Sequence, residues 1–424
     1  MILRGAKLLD LDPPAVRVGD VRVVDGRIAE VGEGLVPGVG EIVEDLAGRW
    51  LMPGLVCAHH HLYSALACGM PFLPDAPEGF TDMLRKVWWR LDEALDLGAV
   101  AVSGLVGGVG ALRAGVTTVV DHHASPNAIL GSLEALDDAL GGLGLRRVLC
   151  YEVTDRGGAE KARLGLKAHE GLLAAPRDGR RAVRIGAHAG FTLSDDTIRA
   201  CAALGRDAGV GLHIHVAEAV DDEATVGEPP VARLARLGAL LPGSILAHCV
   251  HVGPGDLARL SDAGCWVTHQ PRSNMNNAVG RAPLPYFPVR TALGTDGIGA
   301  DMLAELQAGA FRSQEAGDGW SPADWARALT AGARLASDAL RVRLGRLAPG
   351  YAADLVVLDP VPGPPLSAEN LPAALIFRFS AAMVRHVMVD GVWRLRDRDP
   401  VGLDLCALDS RAQGAALEVW GRMA

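Results

Sequence analysis

Eight short apolar runs, each followed by a helix-like stretch, constrain this 424-residue chain more than any other feature. They are Leu55–Ala58, Thr117–Asp121, Arg147–Tyr151, Val183–His188, Gly211–His215, Ser244–His248, Trp266–His269 and Thr291–Asp296. Runs this short and this rich in Val, Ile and Leu suit strands buried on both faces, the parallel kind. Amphipathic stretches such as Met83–Leu95, Ser132–Leu140, Asp195–Ala208 and Pro254–Ala263 lie between them. Eight β-then-α units of this sort predict an α/β protein built on a distorted (β/α)8 barrel. A doubly wound sheet is the alternative arrangement.

The polar residues are not spread evenly. His59 and His61, His188, His215, His248 and Asp296 fall at the carboxyl ends of five of the runs, although the chain has 13 histidines that could lie anywhere. In a barrel those ends meet at one mouth. Residues i and i+2 of a strand point the same way, so His59 and His61 can converge on one ion while His60 turns aside. Histidines and a carboxylate converging at one rim predict a metal site. By the same period His213 shares a direction with His215, and spacing alone leaves both open as ligands.

The two ends of the chain read differently. Strand-like pieces at Ile2–Leu9, Asp20–Val24 and Arg27–Val31 match others at Ala353–Leu358, Ala382–Val389 and Val392–Leu395. Asp25-Gly26 and Asp390-Gly391 are tight hairpin signals. Neither end could bury a core alone, so a composite β-sandwich of residues 1–53 and 347–424 is expected, with the barrel over 54–346 inserted between its halves. A net charge of −9 with scattered basic residues argues against nucleic acid. The start of the chain does not resemble a signal peptide, and the Ala99–Leu112 apolar run is too short to span a membrane. Seven cysteines without framework spacing read as reduced thiols. These features predict a cytoplasmic protein with no membrane partner.

The ordered motifs resemble a known family. PGLVCAHHH is similar to the PGLVNAHTH motif of the amidohydrolase superfamily, in its cytosine deaminase-like branch. IHVAE, LAHCVHV, LGTDG and GRLAPGYAADLVVLD resemble that branch's later motifs, in order and over almost the whole chain. WWRLDEAL, TTVVDHHASPNAI, SNMNNAVG and TDGIGADM are similar to the SsnA-type aminohydrolases and chlorohydrolase-type relatives. The resemblance implies one divalent metal ion, zinc or in some relatives iron, held by His59, His61, His215 and Asp296, with His213 left to packing. It further implies Asp296 as acceptor of the water proton, Glu218 as proton shuttle and His248 as a catalytic histidine. Two-metal members carry a bridging lysine after the fourth strand. Here the only lysines are Lys7, Lys86, Lys161 and Lys167, none of them at that place, which favours a single ion. Cys57, His60 and Cys68 stand where relatives commonly have Asn, Thr and Arg; none removes a ligand.

The resemblance also implies a substrate contact at His188. One of His122 and His123, after the second run, is expected to face the mouth, and we assign His123. Tyr63, Trp88 and Trp89 are candidates to line the pocket, and Arg272 and Asn274 to bind a polar group. Specificity is expected in the loops Pro71–Phe80 and Asn274–Phe287. The implied activity is hydrolytic deamination of an aminated heterocycle (purine, pterin or triazine) with loss of ammonia, by a homo-oligomer, a dimer. A same-fold chlorohydrolase or cyclic amide hydrolase is the alternative, and a non-catalytic barrel that only binds its ligand is a third reading.

Overall fold

A computed structural model describes residues 1–71, 76–176 and 178–423. The chain begins with an antiparallel meander, β1 (Ile2–Leu11), β2 (Pro14–Val24) and β3 (Arg27–Gly32), and two short strands, β4 (Val43–Asp45) and β5 (Trp50–Pro53), that run parallel to β1. The barrel strands follow: β6 (Leu55–His60), β7 (Val116–His123), β8 (Arg146–Tyr151), β9 (Arg181–Val183), β10 (Ile185–Ala189), β11 (Leu212–Val216), β12 (Ile245–His248), β13 (Trp266–His269) and β14 (Thr291–Leu293). The closing strands β15 (Leu355–Leu358), β16 (Val384–Val389), β17 (Val392–Arg396) and β18 (Asp399–Pro400) return to the opening ones.

The expected fourth barrel strand is broken at Arg184 into β9 and β10, and that break divides the barrel. Strands β6 to β9 form one parallel sheet and β10 to β14 a second. They meet along two seams. At one, β14 continues into Asp296, which bridges His60, while Thr295 and Asp296 donate their N–H groups to the His59 carbonyl at 2.9 and 3.1 Å. At the other, Val153 bridges Ala187 and donates to the Gly186 carbonyl at 3.3 Å. Both seams need a glycine. A Cβ on Gly294 would stand 2.8 Å from His59 backbone atoms, and one on Gly186 would stand 2.1 Å from the Tyr151 carbonyl oxygen. The ladder is therefore discontinuous, and the strand order is that of a distorted (β/α)8 barrel.

Strands from both chain ends share one nine-stranded sheet, in which β15 pairs with β5. It folds back on itself, since Arg27 at the start of β3 bridges Ala352 just before β15. Leu3, Leu8, Val21, Ile28, Leu51, Leu355, Val357 and Met388 fill the space enclosed. Asp25-Gly26 and Asp390-Gly391 turn with all four residues at positive φ, the geometry that tight hairpins with a right-handed twist require. Arg146, 1% exposed at the start of β8, binds Asp354 at 2.7 Å and Asp390 at 3.1 Å, and so ties this sheet to the barrel.

Two departures from the expected helices bear on the mouth. The Met83–Leu95 stretch is not one α-helix but Phe80–Met83, a π-turn over Leu84–Trp88, then Trp89–Ala94. Extra-residue turns of this kind re-aim side chains and recur at functional sites. The last helix, Leu405–Met423, leaves the end sheet and packs against Trp89–Ala94 and Leu97–Arg113. Trp420 Nε1 donates to the Leu66 carbonyl at 2.9 Å, and Arg422 pairs with Asp96 at 2.8 Å. No single helix among the described residues is long and apolar enough to cross a membrane. All seven cysteines are free.

Candidate functional site

The barrel brings the strand-end residues to one place. His59 and His61 come from β6 and its end, His215 from β11, His248 from β12, and Asp296 from the loop after β14. His59 and His248 are fully buried, and His61 and His215 nearly so. His248 and Asp296 both hold φ in the left-handed region, at 72° and 55°, as does Ala217 at 48°, just before Glu218. A non-glycine residue seldom adopts that conformation, and such strain concentrates at functional sites.

Each imidazole is oriented through its Nδ1. His61 Nδ1 donates to the His122 carbonyl at 2.6 Å, and His215 Nδ1 to the His188 carbonyl at 2.8 Å. His59 Nδ1 bonds His213 Nε2 at 2.8 Å, and His248 Nδ1 bonds Asn274 Oδ1 at 2.9 Å. A carbonyl only accepts, so Nδ1 carries a hydrogen in both rings, and Nε2 is the atom each ring turns to the cluster. The two Nε2 atoms lie 3.1 Å apart. Burial opposes a charge on His61, but the Asp296 carboxylate beside it raises that imidazole to about 9, the side on which a cation would replace the proton. Asp296 Oδ1 completes the cluster, 3.0 Å from His61 Nε2 and 3.4 Å from His59 Nε2. His59 Nε2 and His248 Nε2 are buried without a hydrogen-bond partner. Burial holds His59 and His215 well below the usual imidazole range, in the neutral form that binds metal.

Three overlapping groups have ligand atoms within 4.8 Å of one another: His59, His215, His248 and Asp296; His61, His122 and His215; and Glu152, His188 and His215. His122 fits poorly as a ligand. Its Nε2 donates to the carbonyls of His213 and Ala187 at 3.1 and 3.2 Å, and its Nδ1 faces Glu152. His248 Nε2 looks toward Glu218, 3.5 Å away. Donor chemistry and orientation therefore fit a divalent metal at His59, His61, His215 and Asp296. His60 turns out of the cluster and bonds Thr295 Oγ1 and the Asp296 carbonyl at 3.0 and 2.8 Å. His213 supports His59 from behind.

The cavity at the cluster is lined by His61, His215, Glu218 and Asp296 and also by Tyr63, Trp88, Trp89, Asp92, Glu152 and His188. Burial first, and the Asp296 charge second, push the Glu218 carboxyl well above the usual range, toward the protonated form. His188 lines the cavity, with Nδ1 2.6 Å from Thr192 Oγ1. Arg272 does not line it: its guanidinium is held by Glu305 and by the carbonyls of Gly299 and Asp301. Asn274 touches His248 rather than the cavity, and His123 is buried behind Tyr63 with Nε2 on Ser125 Oγ at 2.9 Å. Residues 72–75 of the Pro71–Phe80 loop lie outside the described residues.

Sequence reasoning overlooked Asp92, Glu152 and Arg156. Glu152 had a readable signal, since it follows β8 at the carboxyl end, where the other site residues sit on their strands. Arg156 and Asp92 are an ion pair 64 positions apart, at 2.5 Å, which no local pattern announces.

Residues 50–394 match the model of the amidohydrolase family. The chain belongs to that family. This amidohydrolase is 29% identical to a 5'-deoxyadenosine deaminase of Methanothermobacter thermautotrophicus, over 99% of both chains. It is 31% identical to a 5-methylthioadenosine/S-adenosylhomocysteine deaminase of Desulforudis audaxviator, over 91% of both. Its fold is shared with an adenosine deaminase from Xanthomonas campestris solved with bound zinc (TM-score 0.83, 23% identity, 99% and 98% coverage). An atrazine chlorohydrolase from Arthrobacter aurescens complexed with zinc shares it as well (TM-score 0.82, 20% identity, 98% and 99% coverage). The amidohydrolase is thus a hydrolase of carbon–nitrogen bonds with a candidate His/Asp metal site at the barrel mouth.

Proposed function

We propose that this amidohydrolase deaminates an aminated nitrogen heterocycle of purine type, using one zinc ion held by His59, His61, His215 and Asp296. The observation that carries the reading is the convergence of the Nε2 atoms of His61 and His215, 3.1 Å apart, beside Asp296 Oδ1. The curated relatives support the class, being deaminases of adenosine derivatives. No lysine stands at the end of β10, which favours one ion over a bridged pair.

When bound, the metal supplies a Lewis acid that lowers the pKa of water to about 7. The remaining work falls to this chain's residues. Asp296 takes the proton of the attacking water on a carboxylate oxygen. Its Oδ2 accepts from Ser273 Oγ, which fixes the carboxylate plane. His248, held by Asn274, hydrogen-bonds the attacking oxygen through Nε2. Glu218, kept protonated by burial, donates its proton to a ring nitrogen. The C–NH₂ carbon becomes tetrahedral and then expels ammonia, the proton for which comes from Asp296, while the hydroxyl proton left on that carbon returns to Glu218 as the ring carbonyl forms. Water and the amine are consumed; the ring carbonyl and ammonia are formed.

Ammonia release across a panel of aminated purines, pterins and triazines, with metal content measured on the same preparation, tests this. We expect release that depends on the metal. Chloride release from a chlorinated triazine without any deamination would replace the reading with the chlorohydrolase one. A protein that stays empty after zinc or iron addition would end both.

A further inference from the structure

The cavity has a second charged face that the metal cluster does not explain. Glu152 is 4% exposed and lines the cavity, its carboxylate within 4.8 Å of the ligand atoms of His188 and His215. Its backbone is pinned, its N–H donating to the His123 carbonyl at 2.7 Å. Its carboxylate has no such hold. Oε2 lies 3.3 Å from His122 Nδ1, whose ring also turns Nε2 to two carbonyls. Oε1 lies 3.7 Å from both His188 Nε2 and the Arg156 guanidinium. Charge-assisted hydrogen bonds close to about 2.7–2.9 Å. The buried carboxylate therefore faces the cavity with these three neighbours all at 3.3 Å or beyond. Buried groups of that kind are expensive and rarely left unsatisfied.

The surroundings keep the carboxylate charged and in place. Burial opposes ionisation, but His188, His122 and Arg156 hold it well below the usual carboxyl range. Arg156 is shared with Asp92, whose Oδ2 it binds at 2.5 Å and whose Oδ1 is buried without a partner. One guanidinium faces two carboxylates, so the wall keeps an excess of acceptors. Arg156 also lies over the Trp89 ring at 4.8 Å, and Tyr63, Trp88 and Trp89 offer flat faces for a planar ring.

We propose that Glu152 is a specificity-determining residue that accepts an N–H donor of the heterocycle, an exocyclic amine or a ring N–H, other than the amine that is lost. This deepens the deaminase reading and rests on it for which edge reacts. The substrate is then an amino heterocycle carrying a second donor. An analogue without that donor leaves Glu152 buried against an apolar ring edge, and sites built to pair a polar group reject such analogues strongly.

The test uses the zinc-loaded protein with 2,6-diaminopurine and adenine as probes, and it reads both ammonia release and binding, the latter by quenching of tryptophan fluorescence. Wild type is expected to favour the diamino base by about 100-fold or more in both readouts. Glu152→Gln should shrink the preference to within about tenfold, with metal content unchanged. The wild-type comparison needs no variant to fold. A wild type that binds neither base, or both alike, overturns the inference, as does a variant that weakens both equally. Preference without ammonia release would uphold Glu152 and sink the deaminase reading. Ammonia released alike from both bases would do the reverse. If 5'-deoxyadenosine shows the Glu152 dependence and the diamino base does not, ribose hydroxyls are the donors and the N–H assignment falls.

Discussion

The two walls of the cavity are built by different means. The metal-side wall consists of His59, His61, His215 and Asp296, each placed at the end of a barrel strand and aimed by the strand's two-residue period. Glu218 joins it from just past β11. The far wall consists of Tyr63, Trp88, Trp89, Asp92 and Glu152. Apart from Glu152 these come from a 3-10 turn, a π-turn and a short helix, clamped from outside by the last helix of the chain and from behind by Arg156. The first wall fixes which reaction can occur. The second decides what reaches it, and nothing in the barrel geometry dictates its composition. One fold can carry different chemistries, as an adenosine deaminase and an atrazine chlorohydrolase that share it show.

The sharpest way to break the comparison is on the metal side. His215→Ala should lose both the ion and measurable turnover, read by metal analysis and ammonia release; full metal and full activity together would refute the ligand set. Next is Glu218→Gln, expected to lower kcat by about 10²–10⁴-fold while metal content stays at the wild-type value. On the far wall the expected loss is of stability before chemistry. Arg156→Met removes the cation from between Asp92 and Glu152 and should destabilise by about 3–5 kcal/mol, seen as a lower denaturation midpoint, because uncompensated buried charge is costly.

A smaller effect concerns pH. Asp121 is buried at the end of β7, with Oδ1 on the Leu62 N–H at 2.7 Å and Oδ2 unpartnered, and burial pushes its carboxyl up to about 7. The folded state then holds a proton that the unfolded chain releases near pH 4. Its contribution is complete below that pH and declines as pH rises toward 7, by at most about 1.4 kcal/mol per pH unit. Asp121→Asn should flatten that part of the stability–pH curve; an unchanged slope would show that Asp121 ionises normally. The smallest effect is expected at His60, whose ring bonds only Thr295 and the Asp296 backbone. His60→Thr should keep the ion, whereas His59→Ala should lose it.

The difference between the walls is also the difference in what could be read from the chain. Strand-end histidines announce themselves because a buried apolar run stops at a polar residue and the period fixes its direction. Eight such runs at regular spacing also imply one rim. Glu152 was readable by the same rule and was overlooked because a single Glu after a strand resembles any solvated loop residue. Arg272 shows the opposite failure: its place after β13 suggested a ligand contact, but Glu305 on a later helix claims it. Trp88 and Trp89 were legible as aromatic candidates but not as neighbours in a π-turn, since a helical pattern carries no mark of the extra residue.

By itself, then, the sequence pointed to the barrel, to a β domain made from both ends of the chain, and to the strand-end histidines and Asp296 at the mouth. Those follow from periodicity and hairpin chemistry, which are local and repeat many times over. Only the tertiary structure decided where the barrel splits, that Gly186 and Gly294 let its seams close, and that one Arg is shared by two buried acids beside the cavity. Such features depend on pairs of residues far apart in the chain, brought together by burial of the whole core, and a one-dimensional pattern cannot encode which distant partner a buried charge will find.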